Sequence, residues 1–449
     1  MQAEFYHRVT AMTEAGEPFV IATVIRVRGS ASAKPGSKAI IDRSGCNLFG
    51  WVGGGCAESL VREESICALE DGQTRVVNVD LDDEVLGVGM PCGGTMDVYI
   101  EPHFPPRRLI IAGHNKLARH LNLLAQMAGY AVTIHGPEAE SQHFPQAERI
   151  VAEPWEALEI PPDARVVVTA PHEGQLPVLR AAAAAQPGYL GFVARRRVLA
   201  ALRERLAADG RALDGLAGLR NPAGLDLGGG TVEEMSLSII GELLAWERGA
   251  SGASLRAVRR GVGATDQPAP TTLRADEQPQ LLVVGHGRLS EALARLGALM
   301  GWPVTVNALE ANGADYPPPT CMVLGDLDFS RMEVTPATHV VIATLHKGDH
   351  LSMERALEGK AAYIGLIASP KRSGLVLDYL RGRGWSDETL RHVHAPAGLD
   401  LGARTPAEIA LSIACEIVCT CRGGSGLALT QAWPQQPEGS GPTCQELFE

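Results

Sequence analysis

A chain of 449 residues with a formal net charge of −12 and only 5 % aromatic residues is unlike a general binder of nucleic acid or acidic membranes, which is normally basic, and unlike a base-stacking platform. No apolar run approaches the ~18 residues of a membrane span. Hydrophobic residues at 45 % support a sizeable core, and the length suggests roughly two to four domains. The opening "MQAEFYHRVTAMTEAGEPF" has no basic segment followed by an apolar core, so no signal peptide is expected. Nine cysteines without framework spacing suit reduced thiols in the cytoplasm.

Residues 1–104 read as an α+β domain. After an opening helical stretch come the strand-like runs "PFVIATVIRVRGS", "KAIIDR", "TRVVNVDL" and "MDVYIEP", and one long helix in "CAESLVREESICALEDG". The glycines gather at "WVGGGC" (Gly53, Gly54, Gly55, Cys56) and "MPCGGTM" (Cys92, Gly93, Gly94). Glycine lets backbone N–H groups approach a ligand closely, and a thiol at a helix start has its pKa lowered by the local dipole. Cys56 and Cys92 could thus offer soft ligation or reversible nucleophilic attack. Packing as small apolar residues is the competing reading. A closed zinc site needs about four ligands, and these two cysteines form no C-x-x-C, so no metal site is expected. Cys67, within helical spacing, reads as core.

The remainder repeats itself. "RLIIAGHNKLARHLNLLAQMAGYAVTIH" aligns with "QLLVVGHGRLSEALARLGALMGWPVTVN", and "PAGLDLGGGTVEEMSLSIIGEL" with "PAGLDLGARTPAEIALSIACEI". Two tandem modules are expected at 105–249 and 280–425, with a linker over 250–279 and a polar tail over 426–449. Short apolar strands alternate with helices, which implies doubly wound parallel sheets. The fold class is therefore α/β: an N-terminal α+β domain followed by two Rossmann-like domains.

Each module has a strand–turn–helix crossover related to G-x-G-x-x-G, the fingerprint that seats a pyrophosphate on a helix N-terminus. The turns are Gly113-His114-Asn115 and Gly285-His286-Gly287-Arg288. Asn115 stands where close approach is wanted; Gly287 leaves that space open. His135 and Asn307 occupy the second-strand ends, where an acidic residue would hold a ribose, so NAD(P) loses weight. "TAPHEGQ" with His172 and "ATLHKGDH" with His346, Asp349 and His350 also follow strands, where ligands sit in open α/β sheets, although such loops are commonly only solvated. Gly398 and Asp400 of the second "PAGLDLG" complete the candidate cofactor-binding set. No G-x-x-x-x-G-K-[ST] occurs, so a P-loop ATPase is not indicated.

"GSASAKPGSKAII", "GWVGGGCAE" and "GMPCGGTMDVYIEP" resemble the N-terminal domain of the XdhC/CoxI family. "VVGHGRLSEALARLGALMGWPV", "ATLHKGDH", "YIGLIASPKR" and "HAPAGLDLGARTPAEIALSIACEI" resemble its Rossmann domain, and the first module does so less faithfully. The resemblance covers nearly the whole chain except the linker and tail. It implies a maturation chaperone that holds molybdenum cofactor and hands it to an apo molybdenum hydroxylase, such as carbon monoxide or xanthine dehydrogenase. Other cofactor maturation proteins would be partners, and homodimers are expected. Molybdopterin cytosine dinucleotide is the implied cargo; FAD carries the same pyrophosphate. "GGGC" would cradle the anionic part, with Cys56 and Cys92 near the metal or sulfur end. The competing readings are a flavin- or NAD(P)-dependent oxidoreductase of small substrates and an assembly factor whose loops bind nothing.

Overall fold

The computed structural model describes residues 2–29, 31–54, 56–80, 94–161, 164–208, 213–216, 218–260, 277–326, 329–344 and 348–432. The chain divides into two units, Met1–Arg107 and Arg108–Glu449.

The first unit contains α1 (Gln2–Ala15), β1 (Phe19–Gly29), β2 (Lys38–Asp42), β3 (Asn47–Gly50), α2 (Cys56–Asp71), β4 (Arg75–Asp80) and β5 (Gly94–His103). Its sheet runs β3-β2-β1-β5-β4, and every pairing is antiparallel. Val20, Ala22, Val24, Val98 and Ile100 alternate onto the buried face, as a half-buried strand requires. Strand β3 escapes the sequence reading because it has only four residues, none of them buried. Cys67 corrects an expectation: it is exposed. Helix α2 buries Ala57, Val61, Ser65 and Ala68, and position 67 falls off that stripe.

The second unit holds both repeats. The first comprises β6 (Arg107–Ala112), α3 (Lys116–Met127), β7 (Tyr130–His135), β8 (Arg149–Val151), β9 (Arg165–Val168), α4 (His172–Ala185), β10 (Tyr189–Phe192), α5 (Arg196–Ala208), β11 (Leu219–Arg220) and α6 (Val232–Arg248). After α7 (Leu255–Arg260), the second comprises β12 (Gln280–Val284), α8 (Arg288–Leu299), β13 (Val304–Ala308), β14 (Cys321–Leu324), β15 (Thr338–Ile342), α9 (Asp349–Glu358), β16 (Tyr363–Leu366), α10 (Pro370–Gly382), α11 (Asp387–Leu390), β17 (Val393–His394) and α12 (Pro406–Arg422), followed by α13 (Leu429–Ala432). The sheets run β11-β10-β9-β6-β7-β8 and β14-β13-β12-β15-β16-β17. Counted within each module, both are the 3-2-1-4-5-6 order of a Rossmann fold, whose strand order reverses beside the first strand.

The modules share one hydrophobic core, which includes Leu237, Ile240 and Leu244 of α6 and Leu411, Ile413 and Ile417 of α12. Both helices open with a capping box, Thr231 with Glu234 and Thr405 with Glu408, and both close on a left-handed glycine, Gly249 and Gly423. A Cβ on Gly241 would lie 3.1 Å from Cys415 Sγ, so the missing side chain lets α6 and α12 approach. Each helix end is tied to the start of the other: Arg422 Nε meets Glu234 Oε1 at 2.8 Å, and Arg248 Nη2 meets Glu408 Oε1 at 3.6 Å.

The segments after these helices are exchanged. Ser251–Ser254, within the stretch read as linker, bonds to the second module. Gly252 N–H donates to Asp400 O, Asp400 N–H donates to Ala253 O, and Ser251 Oγ donates to Asp400 Oδ2 at 2.8 Å. Ser425–Ala428 repeats this on the first module, with Ser425 Oγ donating to Asp226 Oδ2 at 2.8 Å. Beneath the straps, buried Glu416 accepts from Ser254 Oγ (2.6 Å), Tyr363 Oη (2.7 Å) and Gly398 N–H (2.7 Å), and lies 3.1 Å from His394 Nδ1. Glu242 accepts from Tyr189 (2.7 Å), Arg220 (3.2 Å) and Gly224 N–H (2.9 Å).

Burial alone would raise the Glu416 carboxyl, but His394, Ser254 and Tyr363 bring it down from 4.5 to about 2. Burial wins at Glu242, whose pKa is raised. A depressed carboxylate contributes stability that is fully present above its unfolded value and is lost as pH falls through its folded value. Glu416→Gln should therefore lower thermal stability at pH 7 by a few kcal/mol, at about 1.4 kcal/mol per pKa unit. The difference from the unaltered chain should shrink between about pH 4.5 and 2. Glu242→Gln should cost less at pH 7; equal losses in thermal denaturation would contradict this account of the joint.

Candidate functional site

In each module the first strand ends on a glycine that nothing larger could replace. Gly113 has φ +154° and Gly285 φ +118°. An added Cβ would meet Thr169 Oγ1 at 2.0 Å in the first module and Ala343 O at 2.5 Å in the second. Each glycine N–H donates to the end of the next strand, Gly113 to His135 O at 3.0 Å and Gly285 to Asn307 O at 2.8 Å. The turns thus face the switch point, between the carboxyl ends of β6 and β9 and of β12 and β15.

From there the modules diverge. Asn115 caps α3: its Oδ1 accepts from Ala118 N–H at 2.9 Å and its Nδ2 donates to Thr169 O at 2.9 Å. The side chain has taken a donor that a phosphate would otherwise use. Gly287, the counterpart, has φ +104°, makes no side-chain cap, and has nothing within 4 Å of where a Cβ would stand. The N-terminus of α8 is left open. Ser290 fills the third position of the fingerprint, buried, with its Oγ donating to Gly285 O at 2.9 Å. His286 is half-buried, and the largely exposed Arg288 lies 3.3 Å from Glu291.

The crevice of the first module is also filled from within. Trp155, buried after β8, stacks on His114 (centroids 6.0 Å, 19°) and leans on His135 (5.9 Å, 55°). A Cβ on Gly174 would lie 2.6 Å from the indole, and one on Gly136 3.2 Å away. Burial lowers the His135 pKa, which keeps the ring neutral near pH 7, and its Nε2 lies 3.1 Å from Pro154 O. In the second module Phe329 stands against Gly348, the counterpart of Gly174, and packs into the core with Met332 and Met353.

Asp349 opens α9 beside the open turn. It is buried, and its carboxylate is fully engaged: Thr344 Oγ1 donates to Oδ1, and Arg372 reaches Oδ2 through Nε at 2.6 Å and through Nη2. Burial raises its pKa, against the pull of Thr344 and His350. Asn307, at the end of β13, donates from Nδ2 to Asp326 Oδ2 at 3.0 Å. Asp326 is itself buried and also accepts from Ser330 Oγ and Arg331 N–H. The sequence reading missed Asp326, Arg372, Thr344 and Trp155. Arg372 carried a usable signal, because Ser369-Pro370 marks the start of α10 and puts the arginine in its first turn.

The structure therefore gathers Gly285, His286, Gly287, Arg288 and Asp349 at one switch point, and Gly113, His114 and Asn115 at the other. Gly398 and Asp400 lie instead at the inter-module joint, bonded to Glu416 and Ser251. In the first unit α2 begins at Cys56, Gly53 has φ +129°, and Gly54 has open space at its Cβ position. Gly94 opens β5 opposite Gly29. Gly55, Cys92, Gly93, His346 and the side chain of Cys56 lie outside the described residues. Among the described residues no cluster of His, Cys, Asp and Glu could hold a metal ion, and no helix is long and apolar enough to cross a membrane. Cys46, Cys67, Cys321, Cys415, Cys419 and Cys421 are free thiols. Burial pushes Cys419 and Cys421 up to about 12, so both stay protonated.

The model of the XdhC Rossmann domain matches residues 109–243 and again 281–417, and that of the XdhC and CoxI family matches residues 12–80. The chain belongs to the XdhC and CoxI family. Among curated relatives, the chain is 30 % identical over 168 residues to the uncharacterized protein YqeB of Escherichia coli, covering 36 % of this chain and 30 % of that protein. It is 27 % identical over 160 residues to a probable xanthine dehydrogenase subunit from Bacillus subtilis, covering 33 % and 44 %. The chain thus spans less than half the length of either relative. A solved structure described as a xanthine dehydrogenase from Bacillus halodurans is 19 % identical, with a TM-score of 0.31, covering 54 % of this chain and 95 % of that one.

Trp155→Ala tests whether the first crevice of this family member is packed shut. Truncating a buried tryptophan costs about 3–5 kcal/mol. Denaturant unfolding should register a loss in that range; a loss under about 1 kcal/mol would mean that the indole does not fill the crevice.

Proposed function

We propose that the chain is a molybdenum cofactor-binding maturation chaperone that carries the cofactor as a dinucleotide on its second Rossmann module and delivers it to a molybdenum hydroxylase. The observation that carries this reading is the open turn at Gly287, in a chain whose other turn is capped by Asn115 and backed by Trp155. Uncapped N–H groups at a helix start favour an anion, and the pyrophosphate of a dinucleotide is the group such a turn accommodates. The similarity to a probable xanthine dehydrogenase subunit supports a molybdenum hydroxylase as the partner.

The cytosine dinucleotide form of molybdopterin is the favoured cargo, and FAD is the second candidate. NAD(P) is less favoured, because β13 ends on Asn307 and Ala308 and the carboxylate that Asn307 meets is already engaged. The bound cofactor would supply the molybdenum; this chain would supply the anion-binding backbone of the α8 turn. In the first unit, backbone at Gly53 and Gly54 leads into the start of α2, and Cys56 there would lie in the field of the helix N-terminus, which favours a thiolate. Cys92 is carried with it as a second thiol for the cofactor.

Mass spectrometry of small molecules released from the native protein identifies the cargo. Gly287→Leu should abolish co-purification of that dinucleotide in a chain that still folds, while Asn115→Leu should reduce it less; equal losses would contradict the ranking of the modules. Steady-state hydride transfer to a small substrate would favour the oxidoreductase reading instead.

Cys56→Ser keeps the shape and removes the soft, acidic sulfur. The variant should still bind the dinucleotide but should fail to yield an active molybdenum enzyme when co-expressed with its client, whereas Cys67→Ser should be silent. Full client activity with Cys56→Ser would reduce the glycine turn to a structural one.

A further inference from the structure

Each Rossmann module has a hollow at the amino ends of its last two strands, at the end of the sheet opposite the switch point. Gln186 and Pro187 precede β10 and Gly218 precedes β11; Lys360 and Ala361 precede β16 and His392 precedes β17. The hollow measures about 170 Å³ in the first module and about 350 Å³ in the second. The repeat explains the difference. Gly215 aligns with Thr389, and Ala183 with Leu357. A Cβ on Gly215 would lie 2.1 Å from Ala183 O, so the short turn Leu213–Leu216 can press on α4 only because position 215 has no side chain. Thr389 has a Cβ, so α11 must stand off from α9, and the larger hollow follows.

The floor of the larger hollow is apolar: Leu357 and Ile364 are buried and Ala361 is half-buried. Its rim carries Lys360, Glu388 and His392, all exposed. None of these three side chains has a hydrogen-bond or ion-pair partner among the described residues, and Lys360 and Glu388 do not pair with each other although they border one hollow. Charges nearby behave differently. Arg355 pairs with Glu358, Arg383 with Glu354, and Arg381 with Asp378 and Asp387. Lys360 holds φ +54° and its counterpart Gln186 φ +51°, so both copies keep a long polar residue in a conformation that glycine adopts more readily. The first module has Gln186 and Gly218 where the second has Lys360 and His392.

We propose that the hollow of the second module binds a free α-amino acid with an apolar side chain, its carboxylate on Lys360, its ammonium on Glu388 and its side chain on Leu357, Ala361 and Ile364. A cation and an anion that flank one apolar floor without meeting each other are complementary to a ligand that carries both charges close together and hydrocarbon beside them. Charge-assisted hydrogen bonds are roughly twice as strong as neutral ones, and the floor favours burial of hydrocarbon. A purely anionic ligand would face Glu388, and a purely cationic one would face Lys360. The volume lies at the small end of the range for ligand pockets. This site is separate from the α8 turn, so it goes beyond the dinucleotide reading and does not depend on it.

The full chain is titrated by calorimetry with L-leucine, with isocaproate, which lacks the amino group, and with isopentylamine, which lacks the carboxylate. Leucine should bind saturably at millimolar concentration or below. Each analogue should bind about tenfold more weakly or worse, as expected for losing a hydrogen bond to a charged group. Lys360→Gln, which takes the residue of the first module, should weaken leucine about tenfold and leave isopentylamine unchanged. Glu388→Gln should weaken leucine to a similar degree and leave isocaproate no weaker. Circular dichroism and melting temperature establish that each variant folds. Leucine binding that survives both substitutions would lie elsewhere and overturn the assignment. Isocaproate binding as tightly as leucine would make the hollow an anion site and overturn the ligand class, and the absence of saturable leucine binding would overturn the proposal outright. Gly287→Leu should bind leucine as the unaltered chain does, whichever way the dinucleotide reading falls.

Discussion

The ion pair between Arg422 and Glu234, whose side chains are 7 % and 4 % exposed, ties the end of α12 to the start of α6 and fixes how the two Rossmann modules meet. A buried pair of this kind is weak evidence for net stability, since its desolvation cost is large. Breaking it is another matter, because removing one partner strands a charge at about 3–5 kcal/mol. The pair therefore acts as a constraint on register. Arg248 and Glu408 repeat it at the other end, Gly241 and Cys415 set the helix separation, and the two straps follow, each bonded to the aspartate of the opposite "PAGLDLG". A tandem repeat connected this way is one folded body with one shared core, not two beads on a linker.

That arrangement leaves the carboxyl-end crevices of both modules free of the joint, and the duplicated copies could then diverge. The divergence follows a simple competition. The first turns of α3 and α8 have the same unsatisfied N–H groups. In the first module Asn115 satisfies one of them with a side chain of the protein, which stabilises the helix by about 1 kcal/mol and leaves one donor fewer at that turn. In the second, Gly287 forgoes that stabilisation and keeps the donors available. Trp155 extends the same logic to the space behind the turn, where two glycines, Gly136 and Gly174, accommodate its ring.

How far the chain could be read in advance depends on the range of the interaction involved. Strand and helix alternation, the repeat and the glycine turns are local patterns, and the two parallel sheets and the antiparallel N-terminal sheet match them. The contrast between Asn115 and Gly287 was legible for the same reason: each acts within one turn of its own helix. Cys67 was misread because it lies within α2 but off the buried stripe, which runs through Ala57, Val61, Ser65 and Ala68. Gly398 and Asp400, read as cofactor-binding residues, lie in the repeated segment "PAGLDLG". Its glycine faces Ser412, and its aspartate serves a strap from the other module; neither contact has a trace in the local sequence. Arg372 and Trp155 were missed for a related reason, since each finds its partners through the fold of the sheet, as Asp326 finds Asn307.

The joint also bears on how copies of this chain could associate. Helices α6 and α12 are buried against each other and against α3 and α8, with the strap segments bonded across them. A chain with one Rossmann module would present that helical face to solvent and would have to cover it, most simply by pairing with a second copy through the same residues on both sides. Here the repeat supplies the second copy within the same polypeptide, at an effective concentration that no separate protomer matches. The duplication thus removes the need for self-association through this face and makes the pairing asymmetric. A homodimer of identical modules must carry two like sites. A fused pair can keep one module with an uncapped turn and let the other become a packed support for the shared core, and the contrast between Gly287 and Asn115 is what that freedom leaves in the structure.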